Sequence, residues 1–261
     1  MPKFAANLTM LFTEVPFMER FAQARNAGFS VVEYLFPYGF AAKELKTQLA
    51  QNRLTQVLFN LPAGKWEEGE RGIAANPERV DEFRAGVSKA VDYARELGVG
   101  NLNCLAGKRV SGYDEAAHWS TLVGNVKYAA TLLQEKGLQL MVEPINHFDI
   151  PGFFLNRTEQ ALKLIDAVGM PNVFMQYDIY HAQREEGDLA ATLRKHIDKI
   201  GHIQIADNPG RHQPGTGEIN YPFIFKEIDA SGYQGYIGLE YVPIPDSKSS
   251  LAWITEFGYK L

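Results

Sequence analysis

A single cysteine in 261 residues rules out an intrachain disulfide and fits a reducing compartment. Cys104 lies in the apolar run NLNCLAG, where a small buried hydrophobe is expected. Histidine is also sparse: six residues, with no pair at zinc spacing. No apolar run approaches membrane length, and MPKFAANLTMLF is too short and too polar for a signal peptide. A cytoplasmic protein without membrane contact is therefore expected, and the Asn7-Leu-Thr9 and Asn156-Arg-Thr158 glycosylation triplets are chance matches. Positive charge is not in excess. With 26 Lys and Arg against 31 Asp and Glu, the net charge of -5 gives no field to gather nucleic acid. The chain lacks a G-x-S-x-G elbow and a dinucleotide fingerprint, and its GTGEIN turn has neither the spacing nor the ending of a phosphate loop. Serine-nucleophile and nucleotide-cofactor chemistry are thus unsupported. There is also no linker or low-complexity stretch, so residues 1–261 are expected to form one domain.

The chain does have ample material for a core. Hydrophobic residues make up 46% of it, and short β-type runs alternate with helical patterns from end to end. The runs start near Phe4, Ser30, Leu54, Gly100, Leu138, Asn172, Gly201 and Gly235. They are too continuous for half-exposed antiparallel strands and suit parallel strands buried on both faces. Between them lie amphipathic segments such as PERVDEFRAGVSKAVDYARELG, with Val80, Phe83, Val87, Val91 and Tyr93 on one stripe and Gly98 as the stop. In FLNRTEQALKLIDAVG, Asn156 and Glu159 predict the N-terminal cap and Gly169 the end. Such alternation over ~250 residues predicts an α/β fold, a (β/α)8 TIM barrel. An open doubly wound sheet is less suitable, because ANLTMLFTE lacks a Gly-rich first turn.

Four strand-like runs in the second half end in side-chain oxygens: Glu143 in LMVEPIN, Asp178 in VFMQYD, Gln204 in HIQIAD and Glu240 in IGLEY. At the tips of parallel strands they point into one space. Three carboxylates in a dry pocket need a cation or added protons. An all-oxygen set with a neutral amide suits Mg²⁺ or Mn²⁺ better than zinc. Capping of the following helices is the ordinary role for any one of these acids. Glu143 and Glu240 lie far apart around a barrel, so they can flank a bound molecule. Two carboxylates beside a metal-bound α-hydroxycarbonyl can take a proton from one carbon and return it to the next. His181 follows Asp178 by three residues and is a candidate substrate ligand or a structural histidine. Arg71 and Arg211 lie in two long loops, 60–77 and 205–221, and either suits a substrate carboxylate. His202, His147, Asp149 and Glu33 are candidates for supporting roles, and Trp66 for a residue closing over a ligand.

The runs FAANLTMLFTEVPF, VEYLFPY, FNLPAGKWEEGERGIAA, VEPINHFDIPGF, QYDIYHAQ, HIQIADNPGRHQPGTGEINY and GLEY resemble the hydroxypyruvate isomerase family across nearly the whole chain. The resemblance implies a xylose-isomerase-like barrel, shared with sugar epimerases. It also implies a divalent metal held at Glu143, Asp178, Gln204 and Glu240, with the two glutamates as proton donor and acceptor. Relatives acting on larger ketoses carry His where this chain has Gln204. A sister group, similar through LFTEVPF, GEINYP and YQG, isomerises 2-oxo-tetronates. The expected partner is a small hydroxy-keto acid, with no nucleic acid and no membrane; a homo-oligomer is left open.

Overall fold

A computed structural model describes residues 2–261. Its strands are β1 (Phe4–Asn7), β2 (Val31–Glu33), β3 (Thr55–Gln56), β4 (Leu58–Asn60), β5 (Asn101–Cys104), β6 (Gln139–Val142), β7 (Val173–Asp178), β8 (Ile200–Ile205) and β9 (Ile237–Leu239). The helices are α1 (Phe17–Asn26), α2 (Ala42–Gln51), α3 (Val80–Leu97), α4 (Glu115–Gln134), α5 (Thr158–Val168), α6 (Ile179–Glu185), α7 (Leu189–His196), α8 (Tyr221–Ala230) and α9 (Ala252–Glu256). All strand pairings are parallel, in the order β3-β2-β1-β9-β8-β7-β6-β5-β4. This is the expected (β/α)8 barrel.

Nine strand segments appear where eight runs were expected, because the third run breaks at Val57. Its first half pairs with β2 and its second with β5. Val57 N–H still donates to the Val32 carbonyl (3.0 Å) and Asn60 N–H to that of Leu35 (2.8 Å), so the interrupted run bridges both neighbours and nearly closes the barrel.

Helix α3 shows why the outer layer forms. Phe83, Val87, Ala90, Val91, Ala94 and Leu97 repeat at helical spacing and are all buried. The helix stops where Gly98 enters the left-handed region (φ +71°) and its N–H returns to the Ala94 carbonyl. The start of α5 differs from expectation. Arg157, not Asn156, is the cap residue, and the Gln160 side chain, not Glu159, accepts the Asn156 and Arg157 N–H groups (2.9 and 3.0 Å). Because the cap falls one residue later than expected, the side chain three positions on is Gln160 in place of Glu159; Gly169 ends the helix as predicted.

The two ends of the barrel differ in chemistry. At the N-terminal end of β1, Phe4 meets Trp253 edge-on (5.3 Å) and Trp253 stacks on Phe225 (5.6 Å), tying α8 and α9 under the barrel. Toward the C-terminal ends the interior turns polar. Asn7, Glu33, Asn60, Asn103, Gln176, His202 and Gln204 are all buried there. A buried polar belt is costly unless its members satisfy one another, so it marks where the fold has given up apolar packing for a site. No helix is long and apolar enough to cross a membrane.

Candidate active site

Glu143 sits one residue past β6, Asp178 ends β7, Gln204 is next to last in β8, and Glu240 follows β9. None of the four is more than 5% exposed. Glu143, Arg211 and Glu240 line one cavity of about 430 Å³ together with His181, Arg71 and Trp66. The carboxylate oxygens of Glu143 and Asp178 and a ring nitrogen of His181 all lie within 4.8 Å of one another, so a metal ion held by the two carboxylates would lie beside the His181 ring. Glu240 stands outside that group and joins it through Arg211, whose Nη2 donates to Asp178 Oδ2 (3.3 Å) and Glu240 Oε2 (3.1 Å).

Burial shapes the electrostatics. It raises the Glu143 carboxyl to about 8, and the Asp178 charge adds to the rise against the Asn103 amide and Arg211. Glu240 is pushed well above the usual carboxylate range, again by burial first, with Arg211 opposing. Asp178 is raised by burial and held back by Arg211 and the Tyr180 and His181 N–H groups. Two unit charges ~5 Å apart at an effective dielectric of ~20 repel by about 3 kcal/mol. One shared guanidinium offsets part of the charge of three carboxylates and leaves a deficit of positive charge. Arg211 Nη2, wedged between two of them, marks where a cation is wanted. The buried amide oxygens Asn103 Oδ1 and Gln176 Oε1 have no hydrogen-bond partner among the described residues. Oxygen donors, excess negative charge and a stand-in cation together fit a hard divalent metal.

Gln204 is not a free ligand waiting at the rim. Its Nε2 donates to Glu33 Oε1 (2.7 Å) and its Oε1 accepts from Gln176 Nε2 (2.6 Å), leaving one lone pair of that oxygen for a ligand. Glu33 is the hub: it also accepts from Asn7 Nδ2 (2.9 Å) and contacts His202 Nε2 (2.6 Å). Gly238 is what makes room for it, since a Cβ there would stand 2.3 Å from Glu33 Oε1. Asp178 performs the ordinary capping role as well, accepting the Tyr180 N–H at the start of α6 (2.8 Å).

The hydrogen bonds around His181 decide which nitrogen faces the site. Asn146 Oδ1 accepts the Asp149 N–H (2.9 Å), which turns Nδ2 toward His181 Nδ1 (2.6 Å). Nδ1 is therefore the acceptor, and the proton sits on Nε2, 3.5 Å from Asp178 Oδ2. Burial, then Arg211 and Arg184, hold the ring well below its ordinary pKa, so it stays neutral. His181 thus offers the cavity an N–H donor rather than a metal ligand's lone pair. Replacing Asn146 with Ala should release this tautomer and lower kcat/KM about tenfold, the size of one lost hydrogen bond. Steady-state kinetics would check this, and an unchanged value would show that Asn146 does not set the ring.

Loop 205–221 carries Arg211. Asp207 ties it down, accepting N–H groups from Asn208, Gly215, Gly217 and Ile219. Arg211 itself is left-handed (φ +57°), a conformation costing a non-glycine residue about 1 kcal/mol or more. Of the supporting candidates, Asp149 lines the cavity and is held by Arg184 and Asn146, whereas His147 turns out to Glu185 (2.6 Å). Asn103, Gln176, Asn146 and Asp207 escaped the sequence reading. Spacing of two was the available signal, since Gln176 and Asp178, like His202 and Gln204, share a strand face. Cys104 is buried as expected, its thiol pushed up to about 12 by burial.

Residues 21–257 match the family described as xylose isomerase-like TIM barrel. The chain belongs to that family. It is 52% identical to the hydroxypyruvate isomerase of Escherichia coli, over 98% of this chain and 100% of that protein. It is 44% identical to the 2-oxo-tetronate isomerase of Cupriavidus necator, over 98% and 99%. Among solved structures, the protein titled AP endonuclease, family 2, from Brucella melitensis superposes with a TM-score of 0.95 at 44% identity, over 98% of this chain and 99% of that one.

Proposed function

We propose that this chain, acting as one barrel domain, is a divalent-metal-dependent isomerase that interconverts hydroxypyruvate and tartronate semialdehyde. The observation that carries the reading is the pair Glu143 and Glu240, buried carboxylates of one cavity with cationic Arg211 against Glu240. Identity of 52% to a hydroxypyruvate isomerase over the full length supports the substrate. Glu143, Asp178, Gln204 and Glu240 would hold the metal. A bound Mg²⁺ or Mn²⁺ supplies Lewis-acid stabilisation of negative charge on the substrate oxygens.

The chain's own residues do the rest. One glutamate removes a proton from C3 of hydroxypyruvate, breaking C3–H and giving an enediolate. The other delivers a proton to C2, and the O3 hydroxyl proton passes to O2, leaving the aldehyde at C3. A carboxylate poised between charged and neutral by its surroundings suits both roles. His181 Nε2–H donates to a substrate oxygen, and Arg211 holds Asp178 and Glu240 in place while keeping the cavity's charge in balance.

A second reading keeps the same chemistry. A 2-oxo-tetronate has the same 2-oxo acid head with a hydroxymethyl group on C3, and the cavity of about 430 Å³ has room for it. Comparing kcat/KM for the two substrates, with metal-stripped and Mg²⁺- or Mn²⁺-restored enzyme, tests both readings at once. The expected result is a preference for hydroxypyruvate and no turnover without metal. A preference for the four-carbon acid would move the assignment to the sister activity. An endonuclease role is poorly served here: of six histidines only His181 lines the cavity, and one acidic cluster is present among the described residues. Abasic duplex DNA should remain uncut.

A further inference from the structure

Three basic side chains line the cavity: Arg71, His181 and Arg211. Arg211 is committed to Asp178 and Glu240, and His181 is neutral. Arg71 differs from both, because it has no carboxylate partner among the described residues. Its Nη1 donates to the carbonyls of Trp66 (2.9 Å) and Glu70 (2.7 Å), and its guanidinium lies 4.1 Å from the Trp66 ring centroid. One face is covered and one nitrogen is used. The Nε and Nη2 edge has no protein acceptor, and that edge has the fork geometry that matches a carboxylate.

The loop beneath it is built to stay put. Glu70 is tied to Arg79 and to the Lys65 N–H, and Gly72 N–H returns to the Ala63 carbonyl (3.0 Å). Gly72 (φ +114°) also packs so closely on the next strand's loop that a Cβ would stand 2.3 Å from the Leu105 carbonyl oxygen. Lys108 Nζ holds the Gly69 carbonyl (3.0 Å), and Trp66 packs on Phe36 (4.8 Å). An arginine with its guanidinium oriented in advance and its charge unspent, on a braced loop lining the cavity, is arranged for an anion.

Resting on the isomerase reading above, we infer that Arg71, stacked on Trp66, is the anchor for the substrate's carboxylate, while Arg211 serves the carboxylates of the protein. The anchor reads the 2-oxo acid head, which hydroxypyruvate and 2-oxo-tetronates share. It therefore selects acids over neutral ketoses and does not choose between the two acids.

Calorimetric binding of glycerate, a hydroxy acid with no carbonyl to isomerise, tests this without turnover. In Mn²⁺-treated protein, Arg71→Met should weaken glycerate binding about 100-fold, the loss of a charge-assisted fork, while Arg71→Lys should recover part of it. The kcat/KM ratio of hydroxypyruvate to neutral dihydroxyacetone should collapse by a similar factor, and that of 2-oxo-tetronate to dihydroxyacetone likewise. Glycerate binding equal to wild type in Arg71→Met would overturn the inference. Loss of glycerate binding in a protein that turns over neither acid would leave the anchor standing and remove the isomerase reading instead.

Discussion

Glu240→Gln is expected to lower kcat about 10³-fold, the middle of the range for removing a general acid–base group, while KM moves by a few-fold. Gln keeps the size of the side chain and an oxygen for Arg211 Nη2, which lies 3.1 Å from Glu240 Oε2. What it removes is the titratable proton. Burial, with Glu143 and Asp178 adding to it, drives the Glu240 carboxyl toward its protonated form, so this residue is equipped to give a proton as well as accept one. Glu143→Gln should cost as much, and the double variant little more than either single one, because residues acting as a unit are not additive. Glu240 is also a proposed metal ligand, so metal binding is measured alongside kinetics. If Glu240→Gln binds metal normally and turns over within tenfold of wild type, Glu240 is not in the proton relay.

Removing the metal is expected to abolish turnover and to reverse the usual effect of pH on stability. Glu143 is raised from 4.5 to about 8 in the folded protein, by burial first and then by Asp178. A carboxyl raised on folding binds more protons folded than unfolded between those values, so stability falls as pH rises through that window, by up to about 1.4 kcal/mol per unit and group. Asp178 and Glu240 shift in the same direction. His181, lowered on folding, acts with the opposite sign, but only below its ordinary 6.5. The interval from pH 6.5 to 8 therefore isolates the carboxylates. Thermal unfolding in chelator should show Tm falling across it. Mn²⁺ at 100 times its Kd should add about 2.7 kcal/mol, roughly 5–10 °C for a chain of this size. A chelated protein whose Tm climbs over that interval would contradict the charge-crowded site.

Much of this was legible in the sequence, for a physical reason. Continuous apolar runs and amphipathic stripes are repeated signals, so strands from Phe4 to Leu239 and a helix such as α3 follow from periodicity. Acids at the ends of apolar runs stand out because a charge there is costly. The amides did not stand out. Asn103, Gln176 and Asn146 are unremarkable in a string of letters, yet they orient Glu143, Gln204 and His181. Glu33 was visible as an acid, but its role as the hub for Gln204 and His202 depends on Gly238 leaving it space. The break at Val57 and the left-handed Arg211 are products of barrel closure and loop packing, which no local pattern carries.

The central claim is that two glutamates move a proton through solvent-exchangeable carboxyls, as opposed to a hydride passing directly between carbons. It is tested by running the metal-restored enzyme on hydroxypyruvate in deuterated water and trapping early by borodeuteride reduction. The trap places deuterium at C3 only in molecules that had become the aldehyde, and C2 of that C3-labelled glycerate is read by NMR. The account predicts deuterium at C2, with C3-labelled glycerate absent from substrate treated with Glu240→Gln for the same time. Product carrying the original protium at C2 would mean direct hydride transfer and would contradict it.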